Sequence, residues 1–392
     1  MYGAVWAYPW DLLDEGVDAS LARMADAGLA AVSLAAVYHH VRALCPHNPR
    51  HAFVHGEGGV VYFQPDDSLF LAASLRPAVS ALVREGDPLR AACQSAARHG
   101  LRVHAWTVLH HNSRLGQERP DCAIENAFGD RYPFALCPAN PAVRAYSHGL
   151  VASMAAIEGL DTIEIEALGY MGIDHSGHHA KHGVALDPLH TFLLSVCFCP
   201  HCAARMVANG VDVERAREDT RQEVRGFLAG RHRAEDDDVL GALAVVLGEE
   251  QSDGLLAARD EAVLALLEEL YWTVRDRQRL CVMVTGSPLA TGAQAGLTLP
   301  KAREWTDRLL TQAFERDPEA VRERVAGIAA RRGSTPVFAG LQTLPPFVDS
   351  PDELAAQIRA AADAGADGLQ FYHYGLMPLE RLVWVRDALA SL

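Results

Sequence analysis

A unit recurs along this chain: an amphipathic helix, a glycine, then a short and almost wholly apolar strand. It is plainest at residues 24–39 (MADAGLAAVSLAAVYH), 96–111 (AARHGLRVHAWTVLHH) and 361–375 (AADAGADGLQFYHYG). In each, Gly28, Gly100 or Gly365 stands where a helix closes on a left-handed residue. The strand that follows lacks polar alternation, as a parallel strand covered on both faces requires. Such alternation of helix and strand specifies a parallel α/β architecture.

The strands predicted are Gly3–Tyr8, Ala31–Tyr38, Arg102–Leu109, Thr162–Leu168, Leu280–Thr285, Arg308–Phe314, Pro336–Leu341 and Gly368–Tyr372, although Leu309–Phe314 also fits a helix. Eight βα units predict one closed (β/α)8 TIM barrel over residues 1–392. The competing architecture is an open doubly wound sheet, but no G-x-G-x-x-G follows the first strand. Strands four and five are separated by roughly a hundred residues, far more than a βα loop needs. This predicts a Cys-containing helical insertion at 185–275, after strand four. Within it Val263, Leu266, Leu267, Leu270, Tyr271 and Val274 form one apolar stripe of a helix at Ala262–Arg275. The run Arg233–Asp238 reads as a solvated loop, and no Pro/Gly/Ser-rich linker marks a separate domain.

Composition narrows the class. Of the 392 residues, 49% are hydrophobic and 22% charged, the mix of a soluble globular protein. The net charge of −15 repels a phosphate backbone, so nucleic acid is not an expected partner. No apolar run reaches the length of a membrane span, and the first residues lack a secretory pattern. A cytoplasmic location is expected, with the eight cysteines as thiols or metal ligands and not disulfides. No organic cofactor motif is present, and oligomeric state is not legible.

In a barrel the C-terminal strand ends line the pocket. Here those ends carry Tyr8, Trp10 and Asp11; Tyr38, His39 and His40; His110, His111 and Asn112; Glu166 and, further on, Tyr170; Gln342; and Tyr372, His373 and Tyr374. Strand four is the sharpest signal. In Asp161-Thr-Ile-Glu164-Ile-Glu166 side chains alternate, so both glutamates share a face with Thr162 while Ile163 and Ile165 take the other. That sends Glu164 and Glu166 into the barrel, where neighbouring carboxylates push one pKa upward, as a general acid requires. The structural alternative is a pair held by ions such as Arg102 or Lys181.

Trp6, Trp10, Trp106, Tyr170, Tyr372 and Tyr374 offer flat apolar faces to a sugar ring, and Asp11, His39, His110, His111, His175, Gln342 and His373 offer polar tips for hydroxyls. His175, His178, His179 and His182 share one loop and could bind a divalent metal, though no H-E-x-x-H spacing appears. Cys197-Phe-Cys199-Pro-His201-Cys202 places three sulfurs in one turn, a spacing suited to zinc. Its fourth ligand would come from His201, Cys45 or Cys137. Asn140 and Pro141 read as N-cap and first residue of the helix feeding strand four.

The stretch from His104 to Glu166, with HAWTVLHHNSRLG, NAFGDRYPFALCPANPAVRAY and DTIEIEALGY, resembles glycosyl-hydrolase-like TIM barrels. Such barrels carry a strand-three Trp, a Cys-Pro-x-Asn-Pro helix start and an acidic strand four. The resemblance implies a small carbohydrate substrate and a glycosidase with Glu166 as acid/base. Retaining members would place a second carboxylate at the end of strand seven; this chain has Gln342 there. Glu315, Asp11 and Glu164 remain for that role. The other function classes are a metal-dependent sugar isomerase or hydrolase using the histidines, and a non-catalytic sugar-binding barrel.

Overall fold

The computed structural model describes residues 1–71, 73–84, 86–175, 181, 183–231 and 238–392. The predicted loop histidines His178, His179 and His182, and most of the acidic run 233–238, lie outside them. The barrel strands are β1 (Tyr2–Ala7), β2 (Ala31–Tyr38), β3 (Arg102–Val108), β4 (Leu160–Glu166), β5 (Arg279–Thr285), β6 (Arg308–Gln312), β7 (Val337–Gln342) and β8 (Gly368–Tyr372). Each pairs in parallel with the next, and β1 pairs with both β2 and β8, which closes the ring. Closure is visible in the register: Ala4 lies opposite Ala31 on one side and Gln370 on the other. All eight predicted strands are present, the sixth as a strand and not a helix. Gly28 and Gly365 end their helices at φ 75° and 95°, where a side chain would be strained.

The connections after β2, β3 and β4 grow into structure of their own. After β2, a hairpin of Val41–Leu44 with Phe53–Gly56 folds over the mouth side. After β3, Ala123–Glu125 pairs with Arg131–Leu136 and leads into Cys137. After β4 come helices Pro188–Ser195, Pro200–Ala208, Val213–Leu228, Val239–Leu247 and the long Glu249–Val274. The first four of these helices gather a second apolar cluster around Phe192, Leu193, Met206, Val224 and Leu243, distinct from the barrel core. The long helix joins the two, giving Leu255 and Ala258 to the small cluster and Leu266, Leu267 and Leu270 to the core. Asn140 caps helix Pro141–Ala155 by accepting a bond from the Ala142 amide, with Pro141 at the first position. Among the described residues no single helix is long and apolar enough to cross a membrane.

Candidate active site

The barrel interior is built in layers that follow from side-chain alternation. At the base, Tyr2 Oη meets His104 Nε2 at 3.0 Å, and the Arg308 guanidinium lies 3.9 Å from the Phe338 ring centre. One layer up, Trp6 Nε1 donates to Glu164 at 2.7 Å, and Gln370 Nε2 donates to both Glu164 oxygens at 2.9 Å. The bonds from β1 and β8 to β4 cross the barrel. His104 Nδ1 stands 3.8 Å from the same carboxyl. Gly340 on β7 makes room for this layer, since a Cβ there would lie 2.7 Å from Trp6 Cη2. Glu164 is thus tied down by neutral donors and is only 1% exposed. Arg102 is occupied elsewhere, 3.3 Å from Asp161.

The top layer holds the second glutamate. Glu166 ends β4, and Trp106 Nε1 from β3 donates to its Oε2 at 2.5 Å. Glu166 keeps 7% of its surface, so of the two strand-four carboxyls it is the one facing the open end. Its pKa is raised to about 7, first by burial and then by the charge of Glu164, against the Trp106 bond that lowers it. Like-charge repulsion, expected to dominate, is therefore secondary to desolvation. The hydroxyls of Tyr38 and Tyr372 each lie 3.3 Å from that of Tyr8. Burial raises all three phenol pKa values, so these groups stay protonated donors. The Trp106 ring stands 4.6 Å from Tyr38 and 6.3 Å from Tyr372, which in turn meets Phe314 at 5.6 Å. Directly after Glu166 the chain turns through Ala167 at φ 55°, held by its amide to Ala293 O at 2.8 Å and its carbonyl to His110 N at 3.1 Å.

His39, His111 and His175 converge on the rim from three different elements. The His39 and His111 rings stack at 4.2 Å, and His111 Nδ1 lies 3.3 Å from His175 Nε2. Burial lowers all three pKa values, to about 4 for His39 and about 2 for His111. Beside them a cleft of about 420 Å³ runs between the insertion and the ends of β5 and β6, lined by Asp174, Phe192, Thr285, Thr291, Gln294 and Gln312. Ala293 forms part of its wall and is the residue bonded to the turn after Glu166. A larger groove of 730 Å³ lies in the outer helix layer around Arg144 and Trp272.

The other residues predicted for the pocket are buried. Trp6 and Trp106 are enclosed walls, with Trp106 only 2% exposed. Trp10 stacks on Tyr8 at 4.5 Å beneath the hairpin after β2. Asp11 caps its own helix, accepting from Tyr8 N at 2.8 Å, and burial raises its pKa to about 8. His373 is fully buried, its ring 4.1 Å from Tyr8 and 6.1 Å from Trp106, with Nδ1 3.9 Å from Asp11. His110 points away from the mouth, 3.1 Å from Ser147 Oγ on the helix feeding β4. Gln342 ends β7 with its Oε1 unpaired. Tyr170 leaves the barrel altogether: its hydroxyl lies 3.4 Å from Cys202 Sγ. Tyr38 was placed at a pocket-lining strand end from sequence but given no role there, and sequence reasoning passed over Gln312 and Phe314, which end and follow β6.

The cysteines form a second centre. Cys137 Sγ lies 3.4 Å from Cys202, 3.6 Å from Cys199 and 3.9 Å from Cys197, and all four thiols are buried. Cys199 stands at the N-cap position of helix Pro200–Ala208, and Phe198 N bonds Glu125 O at 2.7 Å, which seats the turn on the hairpin leading to Cys137. Cys45 and exposed His201 are not part of the four-sulfur group, which can hold a metal ion. Among the described residues the rim histidines form no comparable ligand set.

No known sequence family matches the chain, and no curated protein is detectably similar to it in sequence. Solved structures are similar in fold. The glycoside hydrolase domain of PgaB (BpsB) from Bordetella bronchiseptica superposes with a TM-score of 0.59 at 16% identity, covering 100% of this chain and 97% of that one. A polyextremophilic β-galactosidase from the Antarctic haloarchaeon Halorubrum lacusprofundi gives 0.59 at 13% identity, and one from the psychrophilic Marinomonas ef1 gives 0.60 at 10%. Both cover 100% of this chain, which spans only 58% and 59% of theirs. The chain thus has the TIM-barrel fold that these proteins share.

Proposed function

We propose that the protein is a glycoside hydrolase that cleaves a small saccharide or glycoside with Glu166 as general acid. The observation that carries this is a single one: a carboxyl at the C-terminal end of β4, buried against indole, poised near neutrality and facing the open end of the barrel. A proton donor to a glycosidic oxygen needs this tuning. The phenols of Tyr38 and Tyr372 supply hydroxyl contacts, and the amide- and hydroxyl-lined cleft beside the rim suits a neutral polyhydroxyl ligand. With an amide at the end of β7, Glu166 faces no carboxylate from that strand. Attack on the anomeric carbon then falls to water or to a group on the substrate itself, as in the families that dispense with a protein nucleophile.

Glu166→Gln removes the proton donor at nearly constant shape. It should lower kcat by on the order of a hundredfold or more on a cleaved substrate, with the folded spectrum unchanged. The wild-type alkaline limb should fall through pH 7, where Glu166 loses its proton. Full activity in Glu166→Gln would end the assignment. One observation favours a second reading, a sugar-binding barrel without turnover: the other nearby carboxyls are engaged, Glu164 by Trp6 and Gln370 and Asp11 by the Tyr8 amide. Saccharide binding without hydrolysis across a nitrophenyl glycoside panel selects it.

The four-cysteine group is read as structural zinc. A tetrahedral site with Zn–S near 2.3 Å has sulfur–sulfur edges of about 3.8 Å. The separations from Cys137, 3.4 to 3.9 Å, bracket that value. Cys137, Cys197, Cys199 and Cys202 would hold the ion and join the hairpin after β3 to the insertion.

A further inference from the structure

Helix Glu249–Val274 buries an arginine that the carbohydrate chemistry does not use. Arg259 is 7% exposed. Its Nη2 bonds Ala290 O at 3.3 Å, while Nε and Nη1 have no partner. Among the described residues no Asp or Glu pairs with it. Arginine cannot shed its proton in a protein, so this is a buried cation without an ionic partner. Such a charge is strongly unfavourable unless a negative charge lies close by.

The guanidinium lies 4.6 Å from the Tyr170 ring centre and 5.0 Å from that of Phe192. Ring faces attract a cation, but more weakly than a full anion does. The Tyr170 hydroxyl in turn reaches Cys202 Sγ at 3.4 Å. Tyr170 therefore stands between Arg259 and the four sulfurs, so negative charge on Cys202, Cys197 and Cys137 would act on the guanidinium across its ring. Four neutral thiols would give Arg259 no counter-charge. A divalent ion held by four thiolates leaves a net charge of 2−, with four protons released to solvent as it binds.

We infer that Arg259 is the counter-cation of a dianionic metal–tetrathiolate centre, stacked on Tyr170 and Phe192 to hold its charge against that centre. The inference rests on the zinc reading. It makes Arg259 a positioning residue: it lowers the cost of burying the dianion and pins the long helix, helix Pro188–Ser195 and the loop after β4 around it. It also explains why Tyr170 turns from the barrel mouth toward the sulfurs.

The test uses the full chain loaded with zinc and follows transfer of the metal to the chromogenic chelator 4-(2-pyridylazo)resorcinol. Arg259→Met removes the charge and keeps much of the volume; zinc should leave at least about tenfold faster. Arg259→Lys restores a cation and should stay within about threefold of wild type. Phe192→Leu disturbs the same packing without changing charge and should also stay within about threefold. Wild-type release from Arg259→Met, or release from Arg259→Lys as fast as from Arg259→Met, overturns the inference. If Arg259→Met yields no folded protein, Arg259→Lys decides alone, with tenfold acceleration counting against the proposal. Failure of the zinc reading shows separately, in wild-type protein that holds no zinc and takes up none.

Discussion

Glu166 and Asp11 are both carboxyls driven toward neutrality by burial, but the backbone uses only one of them. Asp11 accepts the Tyr8 amide as part of a helix start, and its other oxygen has no partner. Its native pKa of about 8 lies far above the value in an unfolded chain. Native protein thus keeps a proton that the unfolded chain has lost, and the stability linked to it is complete below about pH 4 and disappears as pH rises through 8. Asp11→Asn cannot ionise, so its denaturation midpoint should gain on wild type between about pH 5 and pH 9. A difference that stays constant over that range would refute this. Glu166 obeys the same sign with a lower value, about 7. Because the Trp106 bond holds that value down, Trp106→Phe should move the alkaline limb of kcat/KM to higher pH while keeping the ring. A limb that stays in place would remove Trp106 from the tuning. The sequence makes the inward face of strand four legible because alternation is a local rule. It does not say which glutamate is reachable, since Trp6 and Gln370 reach Glu164 from strands distant in the chain.

At the scale of elements, the strands were readable and the loops were not. Apolar runs after helix-ending glycines mark β2, β3 and β8 without any long-range information. The hairpins after β2 and β3 carry no such periodic signal, and they decide which strand-end residues remain accessible. Trp10 sits at a strand end yet lies beneath one of them, where Gly56 admits its ring. His110 and His111 are adjacent and go opposite ways, one toward Ser147 and the other to the rim. Inside the barrel, fit between elements is tight enough to test. Gly340→Ala sets a methyl 2.7 Å from Trp6 Cη2 and must displace the indole that holds Glu164. It should destabilise by about 1–3 kcal/mol, read as a lower denaturant midpoint at unchanged slope. Gly292→Ala, where a Cβ meets nothing within 4 Å, is the control and should change little. Equal effects from both substitutions would show that the Trp6 layer is not under steric control.

Among the described residues of the whole molecule there are two apolar cores, joined by the long helix. The barrel core includes the four clustered cysteines, while the insertion core is built from Phe192, Leu193, Met206, Val224, Leu243 and their neighbours. A core this small stabilises its helices weakly by itself. What fastens it is the long helix shared by both cores and the cysteine centre, where Cys137 of the barrel side meets Cys197, Cys199 and Cys202 of the insertion side. Three of those four cysteines were legible as a group from their spacing. The fourth was one of three candidates, because Cys137 lies sixty residues before Cys197 and only the folded hairpin brings them together. Cross-linking distant segments through a metal acts mainly by constraining the less folded states, so its loss should be felt most where other contacts are few. Cys137→Ser should therefore lower zinc content and raise amide hydrogen exchange first in helices Pro188–Ser195, Pro200–Ala208, Val213–Leu228 and Val239–Leu247, with β1 to β8 still protected. Strand protection lost in parallel would mean that insertion and barrel unfold as one unit. Unchanged exchange in all four helices would mean that the apolar contacts of the insertion suffice without the metal. The expected order follows from placement: the substituted sulfur stands at the seam, and the barrel keeps its closed ring of hydrogen bonds whichever way the seam opens.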